Sequence, residues 1–294
     1  MNALERVDIS DISAQEFARI YRSGEGRPVV VTGALAGLES CSLEWIQAML
    51  PPEKFPARHY GPDHFAKPKT EWKKYSDLKQ VTPAEYTSLL LDGTAHREHI
   101  YFAQVPIGDT DLGRRLDPAI SQIASHCGLR PVVPVNLWWG PGGHTEPLHY
   151  DSGDGTLAQL HGEKRVVLFP PSQSRNLYPF PVRSKGIAPW ISQVYIDHPD
   201  FDAFPRMRDA LAHKVEVTLR PGELLFIPAN WWHEVTAISD GWICSINRFW
   251  KVEPVMRLFS IPLSLLVYGV SMAMLSVAGR KKIQPRVAPR EEAV

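Results

Sequence analysis

His149-Tyr150-Asp151, and far downstream His233 within Pro228-Ala229-Asn230-Trp231-Trp232-His233-Glu234-Val235, are the residues on which the reading of this chain turns. On an extended strand, residues two apart point to the same face, so His149 and Asp151 can grip one ion together. A third ligand must then come from another strand. His233 sits in a run that reads as one, with Leu224-Leu225-Phe226-Ile227 before it and Val235-Thr236-Ala237-Ile238 after it. Two imidazoles and one carboxylate on a single metal form the facial triad of non-haem Fe(II) oxygenases, which leaves three coordination positions open. The tripeptide alone is a weak signal, because a chain with 11 histidines can hold that spacing by chance.

The surroundings strengthen it. From Ile100 to Phe249 the chain is a series of short apolar runs broken by Gly and Pro, the pattern of a sandwich or barrel. One run, Lys164-Arg165-Val166-Val167-Leu168-Phe169, is apolar on both faces apart from its two cations, as expected of a strand buried on both sides. A lysine pointing into such a core needs an anionic partner. The alternative is that Lys164 ends a hairpin at Gly162, its stem lying over apolar surface. Asn247 shares a face with Ser245 and Phe249, and a buried Asn must be hydrogen-bonded, if only to tie strands together. Of the adjacent tryptophans at 138–139 and 231–232, at most one of each pair can line a pocket. His144 reads as a loop residue near the ligands rather than as a ligand.

In their order along the chain, several blocks resemble the JmjC/cupin-like Fe(II)- and 2-oxoglutarate-dependent oxygenases. They are His149–Asp151, Gln159–Pro171, Leu177-Tyr178-Pro179, Pro221–Val235 and Ser245–Trp250, and the likeness extends over residues 8 to 252. The entry segment Glu16-Phe17, Tyr21 and Gly26–Gly33 is similar to the branch containing the asparaginyl hydroxylase that inhibits hypoxia-inducible factor. The resemblance implies a mainly β fold: a double-stranded β-helix (jelly-roll, cupin) core with N-terminal helices and a C-terminal helical extension. It implies His149, Asp151 and His233 as catalytic metal ligands, and Lys164, Asn247 and Tyr101 as binders of the co-substrate. Fe(II), 2-oxoglutarate and dioxygen are the implied cofactors, and hydroxylation of a C–H bond on a protein or peptide side chain is the implied reaction. The same chemistry on a small molecule, and a cupin-like metal-binding module without catalysis, are the alternatives. The family commonly has Thr where this chain has Glu146, and often Asn where it has Gly155. A carboxylate at 146 would repel an anionic co-substrate unless it is protonated, turned outward or paired with a cation.

Composition bounds the rest. The 294 residues are 44% hydrophobic and include 26 prolines, ample for a core and for many turns. With 32 basic and 32 acidic residues, the balanced charge gives no footprint for nucleic acid. Three scattered cysteines without paired spacing argue for a reducing compartment, and no signal peptide is evident, so a cytoplasmic location is expected.

Residues 1–99 are expected to form a helical and strand segment packed on the core, and 100–252 the core itself, with an insertion at 172–213 that could shape a substrate mouth. Ser13 with Glu16 reads as a capping box opening a helix over 13–23, and further helices are expected over 42–50 and 82–91, the last with Pro83 at its first position. Residues 53–80 read as a charged surface excursion. The span 253–279 is expected to be an apolar C-terminal helix. Its uncharged stretch 258–279 suits a dimer contact or a packed helix, with a membrane anchor as the rival, because four serines dilute it and basic residues flank it on both sides. Residues 280–294 read as a disordered tail.

Overall fold

The structure, a computed structural model, describes residues 4–38, 41–62, 67–69, 77–181 and 189–260. Among the described residues thirteen strands follow one another: β1 (Arg6–Asp8), β2 (Val29–Thr32), β3 (Phe55–His59), β4 (Asp77–Val81), β5 (Ile100–Pro106), β6 (Asn136–Pro141), β7 (Thr145–Tyr150), β8 (Asp154–His161), β9 (Lys164–Phe169), β10 (Val215–Leu219), β11 (Leu224–Ile227), β12 (Trp232–Ala237) and β13 (Trp242–Trp250). They form two sheets. The larger has nine strands in the order β1-β2-β11-β8-β13-β6-β5-β3-β4, and the smaller runs β10-β9-β12-β7. Apart from the β1–β2 pair, the pairings are antiparallel. From β6 to β13 successive strands alternate between the sheets, except that β9 and β10 share the smaller one, so β8 lies in one sheet and β9, its neighbour across the Gly162 turn, in the other. This is the mainly β, jelly-roll core that the sequence implies.

Alternation along the strands assigns each face. In β2 and β11, Val29, Val31, Leu224 and Phe226 pack outward against helices, while Val30, Leu225 and Ile227 turn inward toward Val166 and Leu168 of β9. The outward face of the large sheet is covered by α1 (Ala14–Tyr21), α2 (Leu43–Ala48), α3 (Pro83–Leu91) and α5 (Asp111–His126), with the one-turn α4 (Thr94–Arg97) before β5. The outward face of the small sheet is covered by the segment after β9, including α6 (Met207–Leu211): Val167 and Phe169 pack there with Leu177, Val194, Met207 and Trp232. Lys164, Val166 and Leu168 thus face the space between the sheets, and both faces of β9 are buried.

The helix starts follow their sequence signals. Ser13 and Glu16 make both hydrogen bonds of a capping box at α1, and Thr82 and Glu85 do the same at α3, where Pro83 occupies the first turn. Three expectations need correction. The stretch 100–249 is not all short strands, because α5 runs for 16 residues and buries Leu112, Leu116, Ile120 and Ile123 at helical spacing. The stretch 53–80 is not simply a surface excursion: β3 pairs with β5 and β4 with β3, and Ala57 is fully buried. Asp151 does not lie on the strand that carries His149, which ends at Tyr150 and leaves Asp151 in the turn that follows. At the C-terminus a 3-10 helix, Val255–Ser260, is described. The expected helix over 253–279 beyond Ser260 and the tail 280–294 lie outside the described residues, and with them the choice between dimer contact and membrane anchor. No helix among the described residues is long and apolar enough to cross a membrane.

Candidate metal centre and co-substrate pocket

Between the sheets lies a cavity of about 370 Å³. At its wall β12 pairs with β7 so that His233 stands directly opposite His149. Their rings are 4.3 Å apart, and Asp151 Oδ2 is 3.6 Å from His233 Nε2. One ligand atom from each of the three residues lies within 4.8 Å of the others. Cis ligands about 2.1 Å from one ion are roughly 3 Å apart, so small adjustments close this cluster around a metal.

The protonation of the two imidazoles supports the same fit. His149 Nδ1 is 2.7 Å from the Pro147 carbonyl, and His233 Nδ1 is 3.0 Å from the Trp231 carbonyl. A carbonyl can only accept, so each Nδ1 carries the hydrogen and each Nε2 keeps its lone pair. Burial, and then the nearby His149, hold His233 down to about 3, which keeps its imidazole neutral at ordinary pH. Burial pushes the Asp151 carboxyl up, against the pull of His149. A cation between them would reverse that cost. The donor set of two imidazole Nε2 atoms and one carboxylate therefore suits a divalent ion.

Lys164, at the start of β9, is 3% exposed, and its Nζ donates to Ser245 Oγ at 2.6 Å. Burial drives its pKa down to about 8, with Cys244 and Glu146 pulling the other way. Among the described residues no carboxylate forms a salt bridge with it, so a buried ammonium faces the cavity in need of an anion. Asn247 lines the same cavity, and its Oδ1 accepts from Trp138 Nε1 at 2.9 Å. Tyr101 lines it too, its ring stacked on His144 at 4.1 Å. That ring occupies the space where a side chain at 140 would stand, since a Cβ on Gly140 would come within 2.1 Å of it. All six residues singled out in the sequence are thus brought to one cavity. Of the paired tryptophans 138–139 and 231–232, only Trp138 lines it; Trp139 packs against Tyr86 and Phe102, Trp231 among the residues between the sheets, and Trp232 against Tyr150.

Glu146 faces the cavity as well, and a β-bulge is the reason. On β7, Pro147 and Leu148 together oppose the single residue Glu234 of β12, so Glu146 and His149, three apart, reach the same side. Proline suits this place, having no N–H to give to the ladder of an edge strand. Burial pushes Glu146 up, but His144, His149 and the Arg58 guanidinium outweigh it and hold the carboxyl at about 2. His144 Nε2 lies 3.8 Å from Glu146 Oε2. The carboxylate is therefore ionised, inward and paired. Arg58, Gln104, His144, Trp190 and Ile191 were not singled out in the sequence as lining residues. Arg58 sits in the charged stretch that reads as surface, and only its pairing through β3 to β5 brings it to the mouth. Trp190 and Ile191 come from the insertion, which lies along the β7 edge: Tyr150 donates to the Trp190 carbonyl at 3.0 Å and Ser192 to the Leu148 carbonyl at 2.8 Å.

The family model described as a cupin-like domain matches residues 14–256. Among curated proteins, lysine-specific demethylase 8 of Xenopus tropicalis is 32% identical over 158 residues, covering 52% of this chain and 32% of the relative. Lysine-specific demethylase JMJ30 of Arabidopsis thaliana is 28% identical over 249 residues, 83% of this chain and 54% of the relative. Human HSPB1-associated protein 1 is 39% identical over 120 residues, 40% of this chain and 23% of the relative. The matched regions thus span between about a quarter and about half of the length of these relatives.

Proposed function

Because the chain belongs to the cupin-like, JmjC-type family of Fe(II)- and 2-oxoglutarate-dependent oxygenases, we propose that it oxidises a C–H bond on a protein or peptide side chain. The cofactor set of this chemistry is Fe(II), 2-oxoglutarate and dioxygen. When bound, that set supplies the oxidant: the keto acid is oxidised to succinate and carbon dioxide, and one oxygen atom of O2 enters succinate while the other enters the substrate. The observation that carries the reading is one cavity holding both the His149, Asp151 and His233 cluster and a buried, anion-seeking Lys164.

The chain's own residues would divide the work. His149, Asp151 and His233 hold the metal on one side and leave the cavity side free. Lys164, steadied by Ser245, neutralises the distal carboxylate of the co-substrate, and Tyr101 and Asn247 complete the wall around it. Ile191 and Trp190 close the edge beside His149 and limit water there.

Anaerobic titration of the metal-free protein with Fe(II) and 2-oxoglutarate tests this. A visible band of the chelated keto acid is expected, lost in Asp151→Ala and shifted to at least tenfold higher 2-oxoglutarate in Lys164→Ala. Stoichiometric Fe(II) binding with no band at any keto-acid concentration would overturn the reading. The names of the relatives favour one particular substrate group, an N-methyl on lysine, whose hydroxylation releases formaldehyde. Peptides with and without methyl-lysine separate the outcomes: a gain of one oxygen marks a stable hydroxylation, and formaldehyde marks demethylation.

A further inference from the structure

Asp154 is a carboxylate with no exposure at all, three residues beyond the ligand Asp151 and outside the cavity lining. Its partners come from three distant parts of the chain. Arg257, in the C-terminal 3-10 helix, grips it with both ends of the guanidinium, Nη1 to Oδ2 at 2.8 Å and Nη2 to Oδ1 at 2.7 Å. The Ala229 N–H donates to Oδ1 at 2.9 Å, and Arg22 Nε stands 3.8 Å from Oδ2. Next to Ala229, Asn230 is fully buried with φ +68°. Its N–H donates to the carbonyl of Asp151 at 2.7 Å, and its Nδ2 donates to the Arg257 carbonyl at 3.1 Å and to Ser260 Oγ at 3.0 Å.

The consequence concerns the two turns that bear ligands. Asp151 sits in the turn between β7 and β8, and residues 228–231 form the turn that leads into His233. Each turn is bonded to the other, and both are bonded to Val255–Ser260. We propose that this C-terminal segment is a clasp for the metal centre, with Arg257 and Asn230 as positioning residues that set the spacing of Asp151 against His233. The inference rests on the proposed reading of that cluster as a metal site. A forked guanidinium on a carboxylate fixes direction as well as distance. Outer partners of metal ligands commonly carry ten- to a hundredfold of metal affinity. Residues 255–260 thereby belong to the site even though none of them lines the cavity.

Loss of a buried ion pair also destabilises a fold, so stability alone does not test the idea. The variants are Arg257→Lys, which keeps the charge and loses the fork, and Asn230→Gly. Glycine accepts the positive φ and keeps the N–H bond to Asp151, while removing the links to Arg257 and Ser260. Leu116→Ala, in the core under α5, is the control that loses stability without touching either turn. Each full-length protein is titrated with Co(II) under anaerobic conditions, reading affinity and the visible d–d bands, with thermal unfolding alongside. The expected result is roughly tenfold weaker Co(II) binding with altered bands in Asn230→Gly and in folded Arg257→Lys, and wild-type affinity and bands in Leu116→Ala. Wild-type affinity and bands in folded Asn230→Gly overturn the clasp and leave the metal site standing. Equal losses in Leu116→Ala overturn it too, as a general effect of stability. Failure of the unaltered protein to bind Co(II) overturns the metal reading and the clasp with it.

Discussion

Glu146 is where this chain departs from its family pattern in a way the structure explains. Its carboxylate is inward and ionised, balanced by Arg58 and in contact with His144, in the cavity that Lys164 also lines. An entering dicarboxylate meets that negative charge. Glu146→Thr removes the repulsion, which favours an anion. The expected outcome is tighter 2-oxoglutarate binding, by about tenfold for an interaction of about 1.4 kcal/mol, measured by the keto-acid titration. Glu146→Gln, which keeps the shape and drops the charge, is expected to give most of the same gain. Gly155 is the milder departure. A Cβ there would stand 3.7 Å from Phe249, an ordinary contact, so Gly155→Asn is expected to fold with near-wild-type stability in chemical denaturation. The candidate ligands and Lys164 were legible because each needs a particular residue type at a particular place on or beside a strand. Glu146 was legible as a problem, but its solution was not, because Arg58 approaches from β3 and the inward turn depends on the bulge at Pro147 and Leu148.

Among the elements, the helices show what local signals carry and what they miss. Capping boxes are written in four consecutive residues, and those at Ser13 and Thr82 form as read. Replacing Thr82 by Ala frees the Glu85 N–H at the start of α3 and is expected to cost about 1 kcal/mol, read from the urea midpoint. The longest helix among the described residues, α5, was hidden by its own breakers. Gly113 and Pro118 look like strand punctuation, yet Gly113 is there because a Cβ would come within 2.1 Å of the Ile107 carbonyl. The apolar face of α5 becomes clear only when it is laid against the large sheet. Leu116 is fully buried on that face, and Leu116→Ala is expected to cost about 2–5 kcal/mol by the same measurement, with no change in the cavity. Strand faces were legible from alternation, as in β9, whereas the joining of β3 and β4 to the large sheet was not. Neither carries a run of β-branched residues at strand spacing, and β4 is an edge strand exposed along most of its length.

For the molecule as a whole, the layered packing buries histidines as well as apolar groups, and this sets how stability varies with pH. His161 lies flat on Trp242 at 3.6 Å, and burial depresses its pKa below 6.5; the same cause acts on His99 and His144. A histidine with a depressed folded pKa binds its proton more readily in the unfolded chain. Its contribution is therefore complete above about pH 6.5 and is lost as pH falls from there through the folded value. A second loss begins lower. Bonding to Arg165 holds Glu216 at about 2, with Lys214 assisting, so its share is present above 4.5 and disappears as pH falls toward 2. That pair is partly open to solvent, so its share is below about 1 kcal/mol. The metal-free protein is expected to show a plateau in urea midpoint above about pH 7, a decline beginning below 6.5 and a steeper one below 4.5. His161→Gln separates the causes, because it removes one buried imidazole far from the candidate ligands and keeps a flat polar group against Trp242. The midpoint difference between wild type and His161→Gln is expected to shrink between pH 7 and 5. A difference that stays constant across that range would mean that protonation of His161 takes no part in the acid decline.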